Sequence, residues 1–356
     1  MFSEKICVPL MINIIFVKVI LTFPKAVVEN SGNAAWIQLI YNTLLALLFF
    51  CAVIHIYNRK KNIIEIAEIN GGKTLKLIAG VIVILVLILN AVPVIRMFPE
   101  SVKTVLLQDM NTEIIVLVTA IAAALGAYLG IEALGRIHRI FLPVAAIVFL
   151  TFVLMLIPHY KIVNINPVFG NGLKKIFVSG VNSLSLFSDL IILNLLIPYT
   201  KNLDVVKRSG RLAIITAGAA AVVTTAAYCL SFSYPVSENF IMPVYQMSRL
   251  VNISNFFSRF EALFEFVWAI LTLLYASTYL YMISYALQIT FSLKFLKPLI
   301  FPVTVIVFMI SMLPLSMMEM MQWDSIIGSF SYIPVFVLLL VFGRVWKKQK
   351  SRSQIE

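Results

Sequence analysis

The chain has 356 residues, of which 61% are hydrophobic and only 12% charged, with a formal net charge of +12. A soluble domain carries about 25% charged residues, and the mean hydropathy of +0.98 lies on the same side of that comparison, so a soluble globular fold is excluded. The positive balance does not imply nucleic acid, because the basic residues are scattered through short links rather than gathered on one segment.

Ten apolar stretches follow one another, at about 6–27, 35–57, 75–96, 113–130, 139–158, 176–198, 212–234, 262–290, 298–316 and 325–343. Each is about twenty residues, enough for a helix to cross roughly 30 Å of hydrocarbon. Unbroken apolar runs exclude the alternating pattern of a membrane barrel, so an all-α membrane protein is expected. One polytopic domain fills 1–356, with a basic cytoplasmic tail over 344–356. The first apolar segment reads as a retained helix and not as a cleaved signal peptide. Alternate links hold nineteen and eight Lys and Arg residues, with Lys18 inside the first span. The richer side belongs in the cytoplasm, which places both termini there and the 235–261 link outside.

Ten spans divide into five plus five, and an odd number per half inverts the second half. The expected architecture is an inverted repeat, about 6–158 and 176–343, whose first helices are interrupted around a central site. Span one fits this, with Asn13 and Lys18 followed by Thr22-Phe23-Pro24. The link after span two has helical spacing at Ile63, Ile64, Ile66, Ala67 and Ile69, and ends at Gly71-Gly72. In span four, Ala122, Gly126 and Gly130 form a stripe suited to close helix packing. Glu132 and Arg136 stand four residues apart between spans four and five. They read as a surface ion pair or a cytoplasmic gate, and His138 beside them reads as a solvated interfacial side chain.

Span six carries Asn182, Ser183, Ser185, Ser188 and Asp189, and ends at Pro198. Hydroxyls in membrane helices often bond back to their own backbone, but this cluster, with its counterpart in span one, reads as a cavity lining. Lys18 and Asp189 are costly inside a bilayer and should face the bundle interior. Lys18 could hold a ligand carboxylate, take the place of a coupling cation, or pair with Asp189. The stretch Val244–Val251 reads as a helix on the outer surface, with Met247, Leu250 and Val251 toward lipid. Span eight opens with Glu261, Glu265 and Trp268, where Arg259 could neutralise either glutamate. It continues with Thr272 and with Tyr275 and Tyr279 on one face. Glu261 is a further gate or coupling candidate.

Cys7, Cys51 and Cys229 lie in apolar stretches without metal-ligand spacing. Met317, Met318, Met320 and Met321 lack the His or Cys neighbours that a copper site needs. No P-loop, zinc motif or nucleophile–base pair is present. No cofactor, no metal and no enzymatic activity are expected.

Several blocks occur in a recognisable order: Thr22-Phe-Pro24 and Asn33-Ala-Ala-Trp36-Ile; Gly130-Ile-Glu132-Ala-Leu-Gly-Arg136; Phe141-Leu-Pro143; Tyr245-Gln-Met-Ser-Arg-Leu-Val-Asn-Ile-Ser254; and Arg259-Phe-Glu261-Ala-Leu-Phe264 with Trp268. Over nearly the full length the chain resembles the B subunit of spore nutrient-germinant receptors, a branch of the amino acid–polyamine–organocation transporter superfamily. The resemblance implies a LeuT-like fold in the inner membrane of the spore. It implies binding of a small nutrient, often an amino acid, and partnership with an A-type membrane subunit and a C-type lipoprotein. It also implies ligand contacts at Val17–Thr22, Asn90, Ser183–Asp189, Trp268, Thr272 and Tyr275. Where many relatives have glycines in helix one, this chain has Val17, Lys18 and Val19, which removes a backbone clamp for an anion. The alternative role is a proton- or sodium-coupled amino acid or polyamine transporter. A third reading, a scaffold that only assembles partners, predicts no ligand cavity.

Overall fold

The structure is a computed structural model that describes residues 2–21, 23–56, 61–251 and 260–352. Among the described residues the chain is helical, with a single isolated bridge between Phe2 and Thr200. The α-helices are α1 (Glu4–Ile20), α2 (Phe23–Ser31), α3 (Ala35–Ile56), α4 (Ile63–Val105), α5 (Thr112–Leu129), α6 (Ile131–Met155), α7 (Leu173–Phe177), α8 (Leu190–Leu195), α9 (Leu203–Ser231), α10 (Pro243–Ser248), α11 (Phe260–Thr290), α12 (Lys297–Ser311) and α13 (Met317–Arg352). Six described helical stretches are long and apolar enough to cross a membrane, and α12 is apolar but shorter.

Local chemistry explains where the helices start and bend. Asn62 caps α4 in a reciprocal box: its side chain accepts from the Glu65 amide, and the Glu65 carboxylate accepts from the Asn62 amide, each at 3.0 Å. This satisfies two donors left over at a helix start. The amphipathic first turns then meet Gly71 and Gly72, whose backbone leaves the helical region, Gly72 at φ 68°. The expected link helix is therefore present, and a kink joins it to span three. Gly130, at φ 89°, separates α5 from α6 in the same way, a conformation that a Cβ would oppose. Helix α9 starts at Leu203 because the Asn202 side chain caps Val205 N at 3.1 Å.

Several expected boundaries move. Helix α6 begins eight residues before the expected start of span five, so the Glu132–Arg139 stretch is helix and not a link. Helix α9 takes in the charged residues Lys207, Arg208 and Arg211. Helix α13 continues to Arg352, into the segment expected to be a basic tail. Hydropathy sees only the apolar part of a helix, whereas backbone hydrogen bonding continues into its polar ends.

Helix α4 runs along α11 and α13, while α1 packs between α9 and α6, and α3 lies on α9. At Gly126 an added Cβ would lie 2.3 Å from Ser277 Oγ, so this member of the expected stripe serves close packing of α5 on α11, whereas a Cβ at Gly130 would meet nothing within 4 Å. The outer faces of α5 and α6 expose Leu125, Ile140, Ile147 and Leu154, the surface that hydrocarbon would cover. The stretch Val244–Val251 differs from expectation: helix α10 ends at Ser248, and Met247 and Val251 are buried against the protein instead of facing lipid.

Candidate ligand site

Both of the helices expected to be interrupted are broken. Helix α1 ends at Ile20, where Leu21 adopts φ −65° and ψ −104°. Helix α2 resumes at Phe23, with Pro24 in its first turn. Proline is tolerated there because that amide has no helical partner, so Pro24 opens the second piece and does not close the first. In span six, α7 gives way to a 3-10 helix over Ser179–Phe187, then a turn at Ser188-Asp189, then α8 and a second 3-10 turn, Ile197–Tyr199, holding Pro198.

Side chains of α3 hold this loosened segment. Gln38 Nε2 donates to Ser183 Oγ at 2.7 Å and to the Gly180 carbonyl at 3.3 Å. Asn42 Nδ2 donates to the same carbonyl at 2.9 Å. A Cβ at Gly180 would lie 2.8 Å from the Gln38 side chain, so glycine lets the two segments meet. Carbonyls freed from α-helical pairing inside a membrane require partners of this kind.

Lys18, at the end of α1, reaches into the break of span six. Its ammonium donates to Asn90 Oδ1 at 2.7 Å, Asp189 Oδ1 at 2.8 Å and Ser188 Oγ at 3.4 Å. These three acceptors use all three of its donors. The Ser188 hydroxyl lies within hydrogen-bond distance of both Asn90 Oδ1 and the Ser185 carbonyl, each at 2.7 Å. The Tyr279 hydroxyl donates to Asp189, and the Tyr275 hydroxyl donates to the Asn90 carbonyl at 3.0 Å. The two tyrosine rings stack with centroids 4.4 Å apart. Asp189, Ser188, Tyr275 and Tyr279 are all fully buried. The central ion pair is thus locked by α1, α4, α11 and the span-six break.

Beside this network lies a cavity of about 740 Å³. Lys18, Asn90, Asn182, Ser183 and Ser185 line it, together with Lys25, Glu29 and Asn30 of α2 and Gln322, Asp324, Ser325, Ser329 and Ser331 of α13. It extends toward the end of the bundle where α4 finishes and where Asn33 Nδ2 donates to the Asn166 carbonyl at 2.6 Å. At the opposite end the chain is tied together by Phe2 N donating to the Tyr199 carbonyl at 2.8 Å and by Tyr199 packed on Tyr285.

The residues singled out in the sequence divide into groups. Lys18, Asn90, Ser183 and Ser185 face the cavity, and Ser188, Asp189 and Tyr275 form the wall behind it. Thr272 is fully buried among helices. Trp268 stacks edge-on against Phe98 and lines a separate small recess with Ser101 and Glu265. Glu265 is buried and accepts from Ser101 Oγ at 3.0 Å. Glu132 and Arg136 lie far out on the surface, with closest atoms 3.9 Å apart. Thr22, Arg259 and the side chain of Glu261 fall outside the described residues.

Two features were not foreseen. His138, expected to be solvated, is fully buried: Nδ1 lies 3.2 Å from Asn13 Nδ2, and Nε2 lies 3.1 Å from Thr278 Oγ1. The earlier start of α6 carries it inside and joins α1, α6 and α11. The polar face of α13 at the cavity was also missed. Its residues sit among methionines and aromatics at the start of a span, where an isolated Asp or Ser resembles an ordinary helix end.

A family model described as "Spore germination protein" matches residues 2–320. The chain belongs to the spore germination protein family. Spore germination protein B2 of Bacillus subtilis is 18% identical over 252 residues, 70% of this chain and 68% of that protein. Spore germination protein YndE of the same organism is 26% identical over 181 residues, 50% of this chain and 49% of that protein. The fold is that of membrane transporters. Mhp1, a nucleobase-cation-symport-1 family transporter solved in a closed conformation with bromovinylhydantoin bound, superposes with a TM-score of 0.65 at 13% identity, covering 87% of this chain and 72% of Mhp1. A mutant manganese transporter of Eremococcus coleocola superposes with a TM-score of 0.58 at 14% identity, covering 95% and 78%. This spore germination protein is therefore a multi-pass membrane protein with a transporter fold.

Proposed function

We propose that the chain is the nutrient-sensing membrane subunit of a spore germination receptor, and that it binds a small molecule of the amino acid class in the cavity beside the breaks of spans one and six. The observation that carries this reading is the cavity itself: a polar space inside a transporter fold, in a chain of the spore germination family. A ligand can shift the arrangement of the broken helices only through its differential affinity for two states. A coupling of about 1–3 kcal/mol, or roughly 5–150-fold in affinity, would suffice. The shift would be read by an A-type membrane subunit and a C-type lipoprotein, with both termini of the chain in the cytoplasm and the cavity facing outward. No catalytic step is part of this role.

Sensing is favoured over coupled transport by the ion pair. Lys18 already neutralises Asp189 and is covalently fixed, so this carboxylate has no need of a mobile coupling cation. Ser185→Trp tests the proposal, because Ser185 lines the cavity whereas Ser188 is walled in. Spores carrying this variant should assemble the receptor normally and fail to respond to nutrient. A normal response with normal assembly would refute the cavity reading. Accumulation of labelled amino acid in proteoliposomes containing the wild-type chain would favour transport.

A further inference from the structure

Counted together with Asp189 in the wall behind it, the charges around the cavity do not cancel. Lys18 is closed by Asp189, and Lys25 is closed by Glu29 at 2.6 Å and by the Glu238 carbonyl at 2.8 Å. That leaves Asp324 of α13. It is half-buried, lines the cavity and lies within electrostatic reach of both Lys18 and Asp189. Among the described residues no hydrogen bond or ion pair reaches its carboxylate. The group formed by Lys18, Asp189 and Asp324 therefore carries one uncompensated negative charge, facing a space that a small molecule can enter. A carboxylate withdrawn from bulk water recovers its lost solvation only from a cation or from several donors. The neighbouring side chains Gln322, Ser325 and Ser329 offer neutral donors and acceptors around it.

We propose that Asp324 is the ammonium-binding residue of this cavity, so that the ligand is recognised chiefly through a protonated amine. This rests on the cavity being the ligand site. The consequence for ligand class is specific. Lys18, the one cation at the break, has no donor left over, so a ligand carboxylate meets only neutral partners there, whereas an amine meets a full opposite charge. Amino acids and simple amines fit this distribution, and acids without an amine do not.

The test uses the purified full chain in lipid nanodiscs, with thermal unfolding as the binding readout. The probes are L-alanine, L-valine and n-butylamine, set against propionate and isovalerate, the same acids without the amine. Sodium chloride is compared with choline chloride, whose quaternary ammonium has no N–H to donate. The expected result is stabilisation by the amine-bearing probes alone. Asp324→Asn should weaken it about tenfold or more, the scale of a charged hydrogen bond, and Asp324→Glu should retain part of it. Unchanged affinity in Asp324→Asn, or equal stabilisation by propionate and isovalerate, overturns the assignment. Loss of that same binding in Ser185→Trp would show that the cavity reading nevertheless stands. An Asp324-dependent stabilisation by sodium alone also overturns it, in favour of an inorganic cation. If no amine stabilises the wild type, the assignment fails, and a normal nutrient response of Ser185→Trp spores would show that the cavity reading has failed with it.

Discussion

Removing either partner of the Lys18–Asp189 pair should have unequal costs, and removing both should be easier than their sum. The Asp189 side chain is 0% exposed and the Lys18 side chain 15% exposed, with nitrogen and oxygen 2.8 Å apart. Lys18→Met strands a carboxylate among Tyr279, Ser188 and the helices that bury them, a loss of about 3–5 kcal/mol. Asp189→Asn keeps an oxygen for the Tyr279 hydroxyl. It leaves Lys18 bonded to Asn90 and Ser188 with part of its chain at the cavity, so about 1–3 kcal/mol is expected. Simple addition gives about 4–8 kcal/mol for the double variant. The double variant, which strands no charge, should fall short of that sum by about 2–3 kcal/mol. Unfolding of the four proteins by SDS titration in mixed micelles measures the cycle. Additivity within about 0.5 kcal/mol would refute the pair as a unit. With the ammonium fully engaged by protein acceptors, the first effect of Lys18→Met should be on stability and not on ligand response.

Gln38→Ala removes the donor that serves both Ser183 and the Gly180 carbonyl, and should destabilise the chain by about 1–3 kcal/mol; an unchanged SDS midpoint would mean that α3 does not hold the span-six break. Orientation is testable with single cysteines at Val236, which is 48% exposed, and at exposed Lys73. Membrane-impermeant thiol reagent applied from outside should label Val236→Cys and spare Lys73→Cys, and the reverse pattern would invert the proposed topology. Ser237 is unsuitable for this experiment because it is buried beneath Tyr228.

Much of the candidate site was legible because polar residues are rare in this chain. Lys18, Asp189 and the serines of span six stand out against apolar neighbours, and the bilayer restricts where such groups can go. Asn90 was reached through the family resemblance, and it proved to be the hub that joins Lys18, Ser188 and Tyr275. Trp268 and Thr272 came from the same source and lie away from the cavity, since a shared helix does not fix which face a residue presents.

The sequence by itself determined the membrane class, the all-helical fold and the presence of breaks in the first and sixth expected spans. Those properties follow from local hydropathy and from backbone groups that must be satisfied within lipid. Only the tertiary structure decided that Lys18 is spent on Asp189, that His138 is buried between α1, α6 and α11, and that Asp324 faces the cavity. Each of these depends on the rotation of one helix against another far along the chain, as in the contacts from Asn13 to His138 and from Lys18 to Asp189. Spacing within a single helix cannot encode such pairings, because they arise only when the faces of different helices are brought together.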